Sequence, residues 1–243
     1  KIPISVRKTK NFDFIKVSGK KNFTSFNYNI PSDISSSAFF IVLTLLSNNS
    51  SLTIRNVNIN SSRIGSIYIL NKMGAKIKLK NIKNYRGERV ADISVKSVKS
   101  YKAINCPKKY NSSAIDEFLI IFLIAAKAKG VSYFKDLAEL NQKESPRLKL
   151  GSKILNMIGI KTKLTNESIK IYGQPNLELN KNYVIKNYLK DHRIFMMATI
   201  ASLTLGGNWK IHDPDSIKTS FPSFLKIIKK FGGKINWERK KQS

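Results

Sequence analysis

One short pattern, used three times, limits this chain more than any other feature. Met73-Gly74-Ala75-Lys76-Ile77, Ile158-Gly159-Ile160-Lys161-Thr162 and Phe231-Gly232-Gly233-Lys234-Ile235 each follow a helix-like segment. The glycines lie 159 − 74 = 85 and 232 − 159 = 73 residues apart. Glycine ends a helix at low cost by taking the left-handed conformation, and the β-prone residues after it start a strand. Upstream of each motif is an apolar run led by an aspartate: Asp33, Asp116 and Asp191, spaced 116 − 33 = 83 and 191 − 116 = 75. The runs that follow, 37–46, 118–128 and 194–205, are apolar on most sides. Helices of that kind are buried and do not lie on a surface. Three of them in one chain must pack together, leaving the strands outside.

A strand follows each apolar helix, at 51–57, 130–134 and 209–212. Apolar–polar alternation marks further strands at 91–95 and 168–173, and an opening hairpin at 2–6 and 14–19. The unit therefore reads buried helix, strand, loop, second helix, glycine, strand, with a further strand after it. Repeats are expected at about 30–98, 113–174 and 188–237, and residues 1–29 read as the tail of an earlier unit.

Composition narrows the chemistry. A single cysteine, Cys106, rules out an internal disulfide and a multi-cysteine metal site, and points to a reducing compartment. Cys106 has no nearby base in the sequence and is expected to be inert. Two histidines are too few for a zinc site without carboxylate help, and no metal or cofactor is expected. The longest apolar runs, 38–46 and 118–126, fall far short of the roughly 20 residues a membrane span needs. The expected location is the cytoplasm. The net charge of +29 calls for anionic partners. Its lysines are scattered, however, and no helix-turn-helix, zinc finger or RNA-binding signature accompanies them, so small anions fit better than nucleic acid.

The densest cluster of chemistry is the loop Glu139-Leu140-Asn141-Gln142-Lys143-Glu144-Ser145-Pro146-Arg147, between a strand and a helix. Ser145 is expected to cap that helix and Pro146 to take its first position. Lys143 and Arg147 would add to the preference of a helix N-terminus for anions. Equivalent loops at 61–63 and 219–222 should converge on it, with Asp33, Asp116-Glu117 and Asp191-His192-Arg193 from the first-helix starts. All three aspartates occupy capping positions, and for Asp33 capping alone is the preferred role. Arg63 could pair with a surface acid, and Ser61 could be only a cap. Asp116 and Glu144 are candidate general base and acid.

These loops resemble one family, the 5-enolpyruvylshikimate-3-phosphate (EPSP) synthases. The matching stretches run in the family's order: 31–39, 59–65, 73–75, 91–93, 115–117, 139–147, 191–193 and 219–224. The resemblance implies an α/β, enolpyruvyl transferase-like lobe of three βαβαββ-type repeats, with buried helices and outer sheets, an inside-out α/β barrel. Residues 30–243 would be the C-terminal lobe and 1–29 a remnant of the missing N-terminal lobe.

The family transfers enolpyruvyl from phosphoenolpyruvate to the 5-hydroxyl of shikimate 3-phosphate by addition and elimination, releasing phosphate without metal or cofactor. Matched by position, Asp116 would hold the 5-hydroxyl and accept its proton. Lys143 would contact shikimate 3-phosphate and the reacting centre, and Glu144 would exchange the methylene proton. Arg147 and Arg193 would clamp phosphoenolpyruvate, and Lys218 lies beside a further anion-binding position. The complete protein is expected to be monomeric and free of membrane. Three departures stand out: Ser32 replaces a glycine, Pro146 an aspartate before Arg147, and Leu119 a proline. Because the other lobe supplies a lysine, a serine and arginines in this family, the chain alone is expected to turn over little or nothing. The alternative is a non-catalytic anion- or nucleic-acid-binding module built on the same lobe.

Overall fold

The computed structural model of the protein describes residues 4–19, 22 and 25–236. The chain divides into two compact units, Lys1–Ile30 and Pro31–Ser243. In the first, β1 (Ile4–Lys8) and β2 (Asp13–Val17) pair antiparallel, Ile4 opposite Val17 and Lys8 opposite Asp13. Residues 2 and 3 of the expected first strand lie outside the described residues.

The second unit carries the repeats. The first contains α1 (Ile34–Leu46), β3 (Ser51–Asn58), α2 (Gly65–Lys72), β4 (Lys76–Tyr85) and β5 (Glu88–Lys96). The second contains β6 (Tyr101–Lys102), α3 (Asn111–Ala114), α4 (Phe118–Ala126), β7 (Ala128–Lys129), β8 (Val131–Phe134), α5 (Arg147–Met157), β9 (Thr162–Leu164) and β10 (Ile169–Tyr172). The third contains β11 (Leu179–Ile185), α6 (His192–Leu205), β12 (Gly206–Ile211) and α7 (Phe224–Lys230).

Every side chain of α4, Phe-Leu-Ile-Ile-Phe-Leu-Ile-Ala-Ala, is buried. It is surrounded by protein because α1, α4 and α6 each touch the other two. Full burial of one such Leu, Ile or Phe is worth about 1.5–3 kcal/mol, so this three-helix centre dominates the packing. The second helices close the ring. α2 packs on α4 and α5 on α6, while Phe224 of α7 meets Phe39 and Phe40 of α1 edge-on or tilted. Each second helix therefore rests on the first helix of the next repeat, and the third returns to the first.

The sheets lie outside this centre and remain separate. β3-β5-β4 and β8-β10-β9 are antiparallel, whereas β6-β7 and β11-β12 are parallel pairs. Among the described residues they do not join into a closed barrel, so the helices-inside arrangement holds and the barrel does not. The parallel pairs arise because a strand on either side of a buried helix runs in the same direction. β11 was not foreseen from the sequence, since its Leu-Asn-Lys-Asn opening hides the alternation.

All three motif glycines have positive φ, between 85° and 94°. The closure around them is the same. The amides of Ala75, Ile160 and Gly233 donate to the carbonyls five residues earlier, Leu70, Leu155 and Ile228, at 2.9–3.0 Å. This is the Schellman pattern of a helix C-terminus. In the first two repeats an asparagine three residues before the glycine then starts the strand: Asn71 Oδ1 accepts from the Ile77 amide at 3.1 Å and Asn156 Oδ1 from the Thr162 amide at 3.2 Å. The third repeat has Lys229 at that position, with no side-chain acceptor. The expected strand after Gly232 is absent from residues 233–236.

Two caps were misplaced in the sequence reading. Asp33 does cap α1, accepting from the Ser36 amide at 2.7 Å, and Asp191 caps α6, accepting from the Arg193 amide at 2.8 Å. Asp116 caps nothing. The chain runs from α3 into α4 through near-helical backbone at Ile115 and Glu117, and a side-chain cap needs an extended residue. Ser145 is not a cap either. Pro146 holds the cap position of α5 and its carbonyl accepts from the Leu150 amide at 2.9 Å. That leaves the Ser145 hydroxyl free to reach another helix. α2 starts at Gly65 without any side-chain cap, so Ser61 has no such role.

Candidate active site

The caps and loops of the second and third repeats meet around Arg147. Its side chain is 1% exposed, yet it carries a full charge inside the protein. Burial of an unpaired guanidinium would cost several kcal/mol; here the charge is paired on three sides. Nε lies 2.9 Å from Asp191 Oδ2, Nη1 lies 3.3 Å from Asp116 Oδ1, and Nη2 bonds Glu144 and lies 3.4 Å from Asp191 Oδ1.

Asp191 is fully buried and uses its whole accepting capacity. Oδ1 takes the Arg193 amide and Arg147 Nη2, while Oδ2 takes Arg147 Nε and the Ser145 hydroxyl at 2.8 Å. One carboxylate therefore caps α6, orients Arg147 and ties down the loop that carries Lys143 and Glu144. The sequence placed Asp191 at a capping position among the converging helix starts. Its wider role depends on α5 packing against α6.

Asp116 stands where three cations meet. Besides Arg147, Lys143 Nζ lies 3.8 Å from Oδ1 and Arg193 Nη2 lies 3.8 Å from Oδ2, and the side chain is 25% exposed. Lys143 also pairs with Glu139 at 2.6 Å. Arg193 Nη1 donates to the Asp116 carbonyl at 2.8 Å. Glu144 is 56% exposed, and its Oε1 lies 4.0 Å from His192 Nδ1. Burial, with the positive charge of Arg193 beside it, lowers the His192 pKa below its ordinary value, against the opposing pull of Asp191. His192 therefore faces Glu144 as a neutral imidazole near pH 7.

Below this layer is Glu117, 2% exposed. The Ser35 hydroxyl donates to its Oε1 at 2.5 Å, Arg63 Nη2 donates to that hydroxyl at 2.8 Å, and Arg193 Nη1 lies 3.8 Å away. Desolvation raises the Glu117 pKa, opposed by Ser35 and Arg193. Arg63 thus bonds Ser35 and not a surface acid. Glu117 was expected among the converging helix starts but without a role of its own, and Ser35 was not singled out. The available signal was an acidic pair placed directly before a wholly apolar run.

The structure brings Asp116, Lys143, Glu144, Arg147 and Arg193 together. Lys218 is not brought in: it is 69% exposed and pairs with Asp215 at 2.9 Å. Cys106 is buried, and burial pushes its thiol up to about 12, which suits an inert residue. Glu144, Asp191 and His192 bring possible ligand atoms within 4.8 Å of one another. Arg147 already takes both oxygens of Asp191 and one of Glu144, so this donor set suits a guanidinium better than a metal ion. No helix among the described residues is long and apolar enough to cross a membrane.

Known proteins carry the same arrangement of elements. The family model for EPSP synthase (3-phosphoshikimate 1-carboxyvinyltransferase) matches residues 1–228. A 3-phosphoshikimate 1-carboxyvinyltransferase of Ruthia magnifica is 39% identical over 233 residues, 96% of this chain and 52% of that protein. One from Staphylococcus aureus (strain COL) is 37% identical over 203 residues, 84% of this chain and 46% of that protein. Among solved structures, an EPSP synthase from Acinetobacter baumannii superposes with a TM-score of 0.84 at 33% identity, covering 93% of this chain and 51% of that one. The enolpyruvyl transferase NikO of Streptomyces tendae shares the fold, with a TM-score of 0.70 at 13% identity. The chain spans about half the length of the curated relatives it matches. With the model matched over nearly the whole sequence and three repeats contributing to one cluster, the chain belongs to the EPSP synthase family.

Proposed function

We propose that this chain forms one lobe of a 3-phosphoshikimate 1-carboxyvinyltransferase, which moves the enolpyruvyl group of phosphoenolpyruvate to the 5-hydroxyl of shikimate 3-phosphate and releases phosphate. The observation that carries the reading is the convergence of Asp116, Lys143, Glu144, Arg147 and Arg193 from two repeats into one ion-pair network. Asp116, among three cations, takes the proton from the 5-hydroxyl as it attacks. Lys143 contacts shikimate 3-phosphate and balances charge at the reacting centre. Glu144, far more exposed than Asp116, delivers a proton to the methylene carbon in the addition and removes one in the elimination. Arg193 and Arg147 hold the phosphate and carboxylate of phosphoenolpyruvate, a task suited to planar guanidinium forks. An incoming anion would replace Glu144 on Arg147, since Glu144 is half exposed and Asp191 is not. Lys218 would join only after a rearrangement of its loop. The expected setting is a monomer in the cytoplasm.

The test joins this chain to the complementary half of the Ruthia magnifica relative and measures phosphate release from the two substrates. The joined protein should turn over, and the 243-residue chain alone should not. Glu144→Gln should abolish turnover while keeping substrate affinity. If the joined protein binds both substrates and Glu144→Gln leaves its activity unchanged, Glu144 is not the proton carrier. Anion binding without turnover in the joined protein favours a non-catalytic module.

A further inference from the structure

The buried carboxylate of Glu117 has no part in the proton transfers assigned above, and its setting is costly. A carboxylate 2% exposed persists inside a protein when its partners offset the desolvation. Its partners come from the first and third repeats, so that with Glu117 itself all three are joined. Ser35 stands in the first turn of α1 and donates at 2.5 Å; Arg63, ahead of α2, donates to Ser35 at 2.8 Å; Arg193, in the first turn of α6, lies 3.8 Å away. Arg63 can only donate, so the Ser35 hydroxyl accepts from it and gives its one proton to Glu117, which fixes the direction of the chain.

The geometry at Arg193 gives this chain a purpose. The same nitrogen, Nη1, donates to the Asp116 carbonyl at 2.8 Å and faces Glu117 Oε1. Asp116 Oδ2 stands 3.8 Å from Nη2. The adjacent residues Asp116 and Glu117 therefore hold both terminal nitrogens of one guanidinium, and its plane is set from below by a group without direct access to solvent. We infer that Glu117 is a positioning residue, which, held by Ser35 and Arg63, fixes the Arg193 guanidinium in the orientation that receives the anionic substrate and so couples the first repeat to the binding site. This rests on the reading of Arg193 as a holder of phosphoenolpyruvate.

The test uses the joined protein described above and separates KM for each substrate from kcat. Glu117→Ala should raise KM for phosphoenolpyruvate about tenfold, the scale of coupling between contacting charged residues. kcat should stay within about threefold and KM for shikimate 3-phosphate should not move. Glu117→Gln keeps the acceptor for Ser35 and should recover part of the loss, and Ser35→Ala should show a smaller loss of the same kind. In an Arg193→Ala background the effect of Glu117→Ala should vanish. The inference is overturned if Glu117→Ala leaves KM for phosphoenolpyruvate unchanged, or if it acts equally with and without Arg193. It is also overturned if both substrates weaken alike and Glu117→Gln recovers nothing, which marks a fold defect. If Arg193→Ala itself has no effect on phosphoenolpyruvate, the assignment of Arg193 fails, and that outcome is distinct from an Arg193 effect that Glu117 does not modulate.

Discussion

Asp191 holds Arg147 on two edges, Oδ2 at 2.9 Å from Nε and Oδ1 at 3.4 Å from Nη2, and both side chains are essentially without solvent contact. Removing either partner leaves the other charge buried. Asp191→Ala should therefore destabilise the chain by about 3–5 kcal/mol, and the same substitution strips the cap from α6 and the anchor from Ser145. Ser145→Ala loses one hydrogen bond to a charged group and should cost about 1.5–3 kcal/mol. Urea unfolding of the three proteins would measure both, and a cost for Asp191→Ala no larger than for Ser145→Ala would show that the pair is not what holds α5 to α6.

His192 should titrate below the ordinary histidine value near 6.5, because burial and Arg193 disfavour its charged form. With a lower pKa in the folded protein than in the unfolded one, the unfolded state binds more protons in the window below about 6.5. Stability should therefore fall as pH drops through that window, and His192→Gln should flatten that slope. An NMR titration in a His212→Gln background reads His192 alone, and a midpoint at or above 6.5 would contradict the structure.

Gly173 should not tolerate a side chain. A Cβ there would sit 2.1 Å from the Ala128 carbonyl oxygen in β7 and 2.6 Å from that of Ala125 at the end of α4, both backbone atoms. Gly173→Ala should cost about 1–3 kcal/mol through forced backbone shifts. Gly159→Ala meets no neighbouring atom and pays only for its positive φ of 85°, about 1 kcal/mol. Thermal denaturation should rank the two in that order.

Asn156→Ala should loosen the start of β9, whose Thr162 amide loses its acceptor at 3.2 Å. The cost should be about 0.5–1.5 kcal/mol, with faster hydrogen exchange at Thr162 and no change at the Ile77 amide, which Asn71 serves. Equal protection of Thr162 in both proteins would remove the asparagine from the account of why no strand follows Gly232 at residues 233–236.

Much of the architecture was legible because it depends on local pattern. An all-apolar run such as 118–126 reads as a buried helix, and a glycine after a helical segment reads as its stop, so α1, α4, α6 and the three closures were readable, whereas the strand expected after Gly232 did not follow at 233–236. β11 was not, because its alternation is masked by polar residues and its pairing partner, β12, lies beyond an intervening helix. Asp116 and Ser145 looked like caps because their residue types favour caps. Whether a side chain turns back on its own helix or reaches a neighbour depends on backbone angles that residue type does not specify.

The sequence by itself determined the repeat, its buried helices, its glycine stops and the set of charged residues available at the helix starts, since each follows from residue chemistry within a few positions. Only the tertiary structure decided that Arg147 is buried among Asp116, Glu144 and Asp191, that Ser145 serves Asp191, that Glu117 joins Ser35 to Arg193, and that Lys218 stays outside. These partners are separated by up to 82 positions in the chain. Their pairing is imposed by the desolvation cost of burying charge, which can be offset only by whatever groups the packed helices bring within a few ångströms.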